Sequence, residues 1–599
     1  MSSSFIYDKI MKKESDNMNQ QILDAKKKYL ELLNNEENRS NTLSNIRFIL
    51  FIILIIVGLL LWKTTNKIYI ISLIILLVVF IGIVIYHHTI DNKIKKYNQF
   101  LDIIKQYESR VDGTWINFEN KGDNLMSSND LIKDFNITGD NSLFQLLNVA
   151  RSIGGKKKYL KQLTEPSSNI QDYQEAVTEL KNDFQTSLEI QYQLDQIEDI
   201  QETNFEDYFE YINQDIKPNK KEFVIGVILC LIADIIFVLC IFNALPFQIF
   251  GLALIIQVII SYIYLYFHNE PLENLNICSR KLSTLKNVDK WISNHNFNGS
   301  KFKKIHNDIA NGYEAIQKLS RINELNNLRS NFVTNVIFNT IVSLNIVTMY
   351  KYAKLITSSN KVIKNNILAL EELENILSLT TICYIKSDTC LPIVSEKLEL
   401  DFKQIKHPLL SEKECIANDF ISTGNINIIT GSNMSGKSSF LRTIGINLIL
   451  MESGTYVEAE YFKASRMTIF SSIKVEDDMN NKISTFYGEL LRIKKILEYS
   501  SKKDEPIMIF IDEIFKGTNY NDRIYGAKEI IKKLKKLNAI TFITTHDFEL
   551  CDLEDKSIHN YHFEEKYEGT KITFDYIIKE GKCLTTNAKY LMKTLGIIE

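Results

Sequence analysis

Apolar residues are not spread evenly along this chain but gathered into long runs that no charge interrupts. Phe48 to Trp62 is 15 residues and Ile68 to Tyr86 is 19, roughly 22 and 28 Å as helices. Only Lys63-Thr64-Thr65-Asn66-Lys67 separates them. A second pair, Phe223 to Phe242 and Phe247 to Phe267, is joined by Asn243-Ala244-Leu245-Pro246. The pattern predicts two antiparallel transmembrane hairpins, over 46–88 and 223–268. Asp234 is an acidic group at bilayer depth, for which the expectation is a polar contact within the helix bundle, the alternative being an ion or proton path. Asn331 to Tyr350 is also uncharged, but Asn331, Asn335 and Asn339 fall on one helical face, which predicts a soluble amphipathic helix instead of a fifth span. Four spans place both termini and the segments between the hairpins on one side. Lys93, Lys95, Lys96, Lys217, Lys220 and Lys221 assign that side to the cytoplasm, although Lys63 and Lys67 lie in the opposite loop.

Outside the hairpins, residues 1–45 are charged and predict a solvated or coiled-coil helical arm. Residues 89–222 form the first part of a helical core domain, with a helix expected on both sides of Gly154-Gly155 and a basic face at Lys156, Lys157, Lys158 and Lys161. A solvated helix face is the simpler account of that cluster, phosphate contact the alternative. Residues 269–395 predict long lever helices completing the core, with Ile363, Ile367, Leu370, Leu373 and Leu377 at steps of four and three. After Pro408 short β-rich runs alternate with helices, the texture of a parallel α/β domain, here 396–599. The expected fold class is multidomain: an α-helical core and lever with two transmembrane hairpins, and a C-terminal α/β P-loop domain.

Composition narrows the functions. At 599 residues the chain allows about four folding units. Lys plus Arg at 70 against Asp plus Glu at 73 leaves a net charge of −3, so any nucleic-acid contact is local. The eight cysteines are scattered without C-x-x-C pairs and read as reduced thiols.

The chemistry lies in the last third. A predicted strand, Asn425 to Thr430, runs into Gly431-Ser432-Asn433-Met434-Ser435-Gly436-Lys437-Ser438 and then a helix from Ser439, which is G-x-x-x-x-G-K-S in its strand–loop–helix setting. The glycines let backbone N–H groups wrap phosphate, Lys437 supplies a point charge to the β- and γ-phosphates, and Ser438 supplies a hydroxyl for Mg²⁺. A second strand, Ile507 to Ile511, ends in Asp512-Glu513. Asp512 would hold Mg²⁺ and Glu513 would orient or deprotonate the attacking water. A third, Ala539 to Thr544, delivers Thr545-His546, placing His546 within reach of the γ-phosphate.

Thr430 through Ser438, then Ser484-Thr485-Phe486 with Glu489, Asp512-Glu513-Ile514 with Gly517-Thr518, and Thr545-His546 together resemble the ordered ATPase motifs of the MutS family of DNA mismatch-repair proteins. Lys406-His407-Pro408 is similar to the family's opening of this domain, and Asp140 to Leu163 resembles the start of its helical core. The resemblance implies an ABC-type ATPase using ATP and Mg²⁺, working as a homodimer with composite sites. Ser439 belongs to its nucleotide loop, Ser484 would reach the γ-phosphate held by the opposite subunit, and Asn519 would lie at the subunit contact. The chain departs from the family at Ser432, Ser435 and Ser439, where Pro, Gly and Thr are usual, and at Phe515-Lys516, where Gly-Arg is usual. Residues 1–110 contain no F-x-E, and the second hairpin stands where the family inserts its DNA clamp. Two functions are therefore expected: a membrane-anchored MutS-like ATPase that binds mismatched or branched DNA, or an ATP-driven membrane transducer or remodelling protein without DNA.

Overall fold

A computed structural model describes residues 19–63, 67–126, 129–165, 169–196, 218–268, 272–273, 279–422, 426–474, 485–515, 519–553, 555–568 and 571–583. The chain divides into two compact units. The first holds the described residues up to Phe118, with Lys181–Tyr192 and Cys383–Ser387. Two helices dominate it, α1 (Gln20–Lys63, 44 residues) and α2 (Lys67–Val111, 45 residues). They run antiparallel: Tyr29 stacks on Phe100 with ring centres 4.5 Å apart, Ser40 Oγ lies 2.8 Å from His87 Nε2, and Phe51 meets Phe80 at 6.4 Å. Their polar halves pack as an antiparallel pair closed at the base by Tyr107, which donates to Gln191 at 3.1 Å, and by Tyr384 with Ser187 at 2.7 Å. No residue in the apolar window of either helix is buried. Sequence divided arm from hairpin, yet each helix crosses that boundary unbroken because no Gly-Pro signal interrupts it.

The second unit contains Glu119–Leu180, Gln193–Ile382 and the described residues from Asp388 onward. In chain order there follow the helices α3 (Ile153–Thr164), α4 (Ile170–Lys181), α5 (Phe184–Asp195), α6 (Lys220–Ile241), α7 (Phe247–His268), α8 (Ser279–Ser293), α9 (Ser300–Ser330), α10 (Phe332–Val342) and α11 (Leu344–Ile385); the last residue of α4, most of α5 and the last residues of α11 belong to the first unit, the rest to the second. The Gly154-Gly155 pair is not mid-helix as expected but in the first turn of α3, after a break at residues 148–152. A Cβ on Gly154 would fall 1.8 Å from Glu371 Oε1, and one on Gly155 2.0 Å from Glu374 Oε2, so α11 approaches α3 as only glycine permits. The buried Glu374 carboxylate accepts from Arg151 N at 2.9 Å and Ser152 N at 3.1 Å, and from the Ser152 hydroxyl. It fills the positive end of α3. Lys158 pairs with Glu372 at 2.6 Å and Lys161 with Glu165 at 3.4 Å, so these two lysines of the basic cluster are committed to carboxylates of the chain. Ile363, Ile367, Leu370, Leu373 and Leu377 are all buried.

Helices α6 and α7 pair through Phe237 and Phe250, ring centres 4.9 Å apart, and their apolar windows are mostly exposed. Asp234 corrects its expectation: Cys230 and Ala233 turn inward while Asp234 lies on the exposed face, with no hydrogen bond or ion pair among the described residues. The asparagine stripe of α10 also differs, since Asn335 and Asn339 are buried and the apolar residues face outward.

The α/β part has a six-stranded sheet built from β4 (Ile426–Thr430), β6 (Thr468–Ser472), β7 (Ile507–Ile511), β8 (Ala539–Thr544), β9 (Ile558–Glu568) and β10 (Lys571–Glu580), in the order β10-β9-β4-β8-β7-β6. All pairings are parallel except β9 with β10. A separate four-stranded mixed sheet, order β1-β5-β2-β3, uses β1 (Ile393–Ser395), β2 (Leu400–Ile405), β3 (Asn418–Ile421) and β5 (Tyr461–Ser465), and the sequence pattern did not distinguish it. Helices α12 (Lys437–Glu452), α13 (Thr485–Lys502) and α14 (Tyr520–Leu534) complete the domain. Asp134, fully buried, locks the segment before α3 onto it by accepting from Ile473 N, Lys474 N and Arg492 Nη1 at 3.0, 2.9 and 2.7 Å.

Asp289 on α8 is fully buried, with Asn366 Nδ2 donating to it at 3.0 Å. Burial pushes its carboxyl up to about 8. A carboxyl raised on folding stabilises most below its unfolded value near 3.9 and loses that contribution as pH rises through about 8. Asp289→Asn is therefore expected to raise the melting midpoint of the full chain at pH 8 and to leave it nearly unchanged near pH 4, as followed by thermal unfolding across that range.

Candidate functional site

Strands β4, β7 and β8 end side by side, and the predicted residues sit at that edge. Gly431 begins the loop after β4 at φ 149° and Gly436 closes it at φ 102°, both in the left-handed half of backbone space. A Cβ on Gly431 would meet Ser435 Oγ at 2.8 Å and the Phe563 carbonyl at 3.1 Å. Gly436 is the N-cap of α12, so the loop delivers its backbone to a positive helix end. Ser432 Oγ and Ser435 Oγ are buried there with no partner among the described residues. Asn433, Met434, Ser435, Gly436, Lys437, Ser438 and Ser439 all line a cavity of about 430 Å³, whose other walls include His407, Ile416, Asn418, Glu513, Phe563 and Tyr576.

Lys437 is buried and donates to the carbonyls of Gly431 and Ser432, both at 2.9 Å. Burial lowers its pKa, opposed by the nearby Glu513 and Asp512. Ser438 Oγ donates to Asp512 Oδ2 at 2.6 Å, bringing together the hydroxyl and carboxylate that the sequence assigned to Mg²⁺. Oxygen donors of this kind suit a hard divalent cation that keeps several waters, and the unpartnered loop hydroxyls beside them suit phosphate oxygens. His546 Nε2 lies 3.3 Å from Glu513 Oε1. Glu513 itself has φ 53°, an unfavourable conformation for a side-chain-bearing residue that persists only where its surroundings hold it.

The residue that holds it was not singled out in the sequence. Thr544, the last residue of β8, donates its hydroxyl to Asp512 Oδ1 at 2.5 Å and accepts from Glu513 N at 2.8 Å. One side chain thus fixes both acidic residues. Its signal was its place, a β-branched polar residue ending a buried strand immediately before Thr545-His546. Tyr576 was missed too, because it comes from β10, more than 130 residues after the loop. Asn418 pins that strand by donating to the Tyr576 carbonyl at 2.9 Å and accepting from Ile578 N at 2.7 Å. Glu489 is buried on α13 and accepts from Phe515 N at 2.8 Å, linking the stretch after Ser484 to the turn after Glu513. Asn519 is exposed and N-caps α14 by accepting from Asp522 N at 3.0 Å. Ser484, Gly517 and Thr518 lie outside the described residues. Among the described residues no cluster of three or more His, Cys, Asp or Glu side chains forms a metal centre, so any cation here would rest on Ser438, Asp512 and phosphate oxygens.

A strand, a glycine loop with Lys and Ser, and acidic residues at the end of a parallel strand, with one strand between the two in the sheet, define a P-loop nucleotide-binding domain. Residues 427–594 match the family model for MutS domain V. A DNA mismatch repair protein MutS from Aquifex pyrophilus is 32% identical over 243 residues, 39% of this chain and 28% of that protein. MutS protein homolog 4 from Mus musculus is 35% identical over 234 residues, 37% of this chain and 24% of that protein. Over its C-terminal part the chain belongs to the MutS family. The matches span about a quarter of the length of these relatives.

Removing the Thr544 hydroxyl should release both acidic residues. Thr544→Val is expected to lower Mg²⁺-dependent nucleotide turnover by roughly one to two orders of magnitude. Thr541→Val, which removes a buried hydroxyl with no partner among the described residues, should leave turnover near that of the parent. Equal losses in the two variants, measured by phosphate release, would contradict the role given to Thr544.

Proposed function

We propose that this chain is a membrane-anchored, MutS-like ATPase that works as a homodimer, converting ATP and water to ADP and phosphate and driving its long helices by the closing and reopening of the dimer. The observation that carries this is the convergence of Lys437, Ser438, Asp512, Glu513 and His546 at one sheet edge. Backbone N–H groups of the loop and the start of α12 bind the phosphates, and Lys437 neutralises charge at the β- and γ-positions. Mg²⁺, held by Ser438 and Asp512, would offset phosphate charge. Glu513 accepts the proton of the attacking water, and His546, 3.3 Å away, keeps that carboxylate turned toward the γ-phosphate. In the homodimer, Ser484 completes the opposite site and Asn519, exposed at the start of α14, lies at the contact.

Among the described residues four helices are long and apolar enough to cross a membrane, and their apolar windows are mostly exposed. Such surface in water far exceeds what a soluble monomer leaves uncovered, which supports a multi-pass lipid anchor with the ATPase domain on the lysine-rich, cytoplasmic side. DNA, mismatched or branched, is the partner suggested by the relatives whose names include DNA mismatch repair. A second reading, an ATP-driven membrane transducer or remodelling protein without DNA, is favoured by one observation: α6 and α7 pack on α10, which leads directly into α11.

Glu513→Gln is expected to bind ATP while turnover falls by at least about a hundredfold, and Lys437→Ala to lose nucleotide affinity. Unchanged phosphate release in both would refute the ATPase assignment. The Glu513→Gln protein, loaded with ATP, should retain branched or mismatched duplex with an affinity that drops steeply with salt. No retention, or a response flat in salt, decides for the transducer.

A further inference from the structure

Helix α10 is amphipathic in the reverse sense from a helix at the surface of a soluble protein. Its asparagines point inward, Asn339 fully buried and Asn335 nearly so, while Phe332 is 74% exposed, Val333 62% and Ile341 53%. In water the outward face of this arrangement is unfavourable, since exposing large apolar groups forfeits their transfer free energy, while the buried amides are stable wherever they have partners. In hydrocarbon both faces are satisfied.

The inward face meets a set of polar groups from the second hairpin. Ser261 Oγ donates to Asn339 Oδ1 at 2.6 Å, and Gln257 Nε2 donates to the Asn339 carbonyl at 3.0 Å. Asn345 donates from its backbone to Asn339 Oδ1 at 2.9 Å and from its side chain to Ser261 Oγ at 3.0 Å. Ser343 Oγ sits 3.0 Å from Cys230 Sγ at the junction of α10 and α11, where Ser343 takes φ 46° and the helices are bent by 81°. Around this group α11 lies against the entry of α6: Tyr350 stacks on Phe223 at 4.2 Å, and a Cβ on Gly226 would touch Ile346 at 3.0 Å.

The depth of these contacts follows from helix rise. Cys230 is seven residues in from Phe223, and Ser261 and Gln257 are six and ten residues in from Phe267, or about 10, 9 and 15 Å along the helices. All lie within about one leaflet of a 30 Å hydrocarbon core. Helix α10 has 11 residues, about 16 Å, too short to cross that core. No charge interrupts the chain from Asn331 to Tyr350.

We propose that α10 is a re-entrant membrane helix: it enters the same leaflet as the ends of α6 and α7, presents Phe332, Val333, Ile337 and Ile341 to lipid acyl chains, and is held there by the polar group formed by Gln257, Ser261, Asn339, Ser343 and Asn345. The acyl chains are the occupant because the exposed face of α10 continues the exposed apolar face of the hairpin it packs on. This rests on the membrane reading of α6 and α7 and adds to it an element that enters and leaves on one side, so the ATPase domain keeps the side that four spans give it.

The test uses the full chain in a Trp62→Phe background, reconstituted in vesicles of phosphatidylcholine brominated on its acyl chains, with phosphatidylglycerol. Single reporters are Ile337→Trp and Phe332→Trp on α10 and Ile232→Trp on α6, all at exposed positions. Bromine quenching of both α10 reporters at least half as strong as that of Ile232→Trp, and well above the parent carrying Trp115 and Trp291, is the expected result. Quenching of Ile232→Trp alone would overturn the re-entrant assignment and leave the hairpin in the membrane. Quenching at none of the three would remove the hairpin assignment as well.

Discussion

The burial of three parallel strands decides where everything chemical in this protein can stand. Every residue of β4, β7 and β8 is buried, and a sheet covered on both faces has no room for charge along its strands. The charged and polar groups are therefore displaced to the strand ends. At the carboxyl edge, helix starts offer backbone donors and loops are free to vary. Lys437, Asp512, Glu513 and His546 meet there, although 109 positions separate the first from the last.

The same constraint explains why threonine ends both β4 and β8. Thr430 donates to the Tyr561 carbonyl at 3.2 Å and accepts from Cys583 N at 3.2 Å, binding the β9–β10 hairpin to the phosphate loop. Thr544 ties Asp512 to Glu513. A β-branched residue fits the pleat, and its hydroxyl supplies the polar contact that valine at the same place would withhold. Positioning here is thus a property of the sheet. The unusual φ of Glu513 is held by groups whose own places are fixed by burial.

Much of this was legible in the sequence because the signals were local. The glycine loop, the buried strands and the pair Asp512-Glu513 are each contained in a few consecutive residues, and the apolar runs announce α6, α7 and the middle of α1 and α2. What was not legible depended on contacts between distant segments. Gly154-Gly155 marks a close approach by Glu371 and Glu374 from a helix more than 200 residues away, and nothing near the pair says so. Tyr576 reaches the cavity only because β9 and β10 fold back along β4. The stripe of Asn335 and Asn339 was found, but periodicity gives the existence of two faces and not which one turns outward. That choice depends on tertiary partners far away in the sequence, here Gln257 and Ser261, which draw Asn339 inward.

Helix α11 gives the second unit a mechanical axis. From Ser343, beside Cys230 of the hairpin, it runs without a break to Leu379, whose carbonyl accepts from Thr455 Oγ1 at 2.6 Å just beyond the end of α12. That is about 36 residues, or roughly 54 Å of continuous helix. Along the way Glu374 is clamped in the first turn of α3, so the helix is gripped near its far end by a buried carboxylate with three donors. A helix held at both ends by buried hydrogen bonds cannot slide at one end alone without leaving polar groups unpaired, at about 1–3 kcal/mol for each. The contacts of Leu379 with Thr455 and of Ser343 with Cys230 thus tie one helix to both the α/β part and the second hairpin. At the hairpin end the polar group around Asn339 is buried, and its low-dielectric surroundings raise the cost of separating those partners.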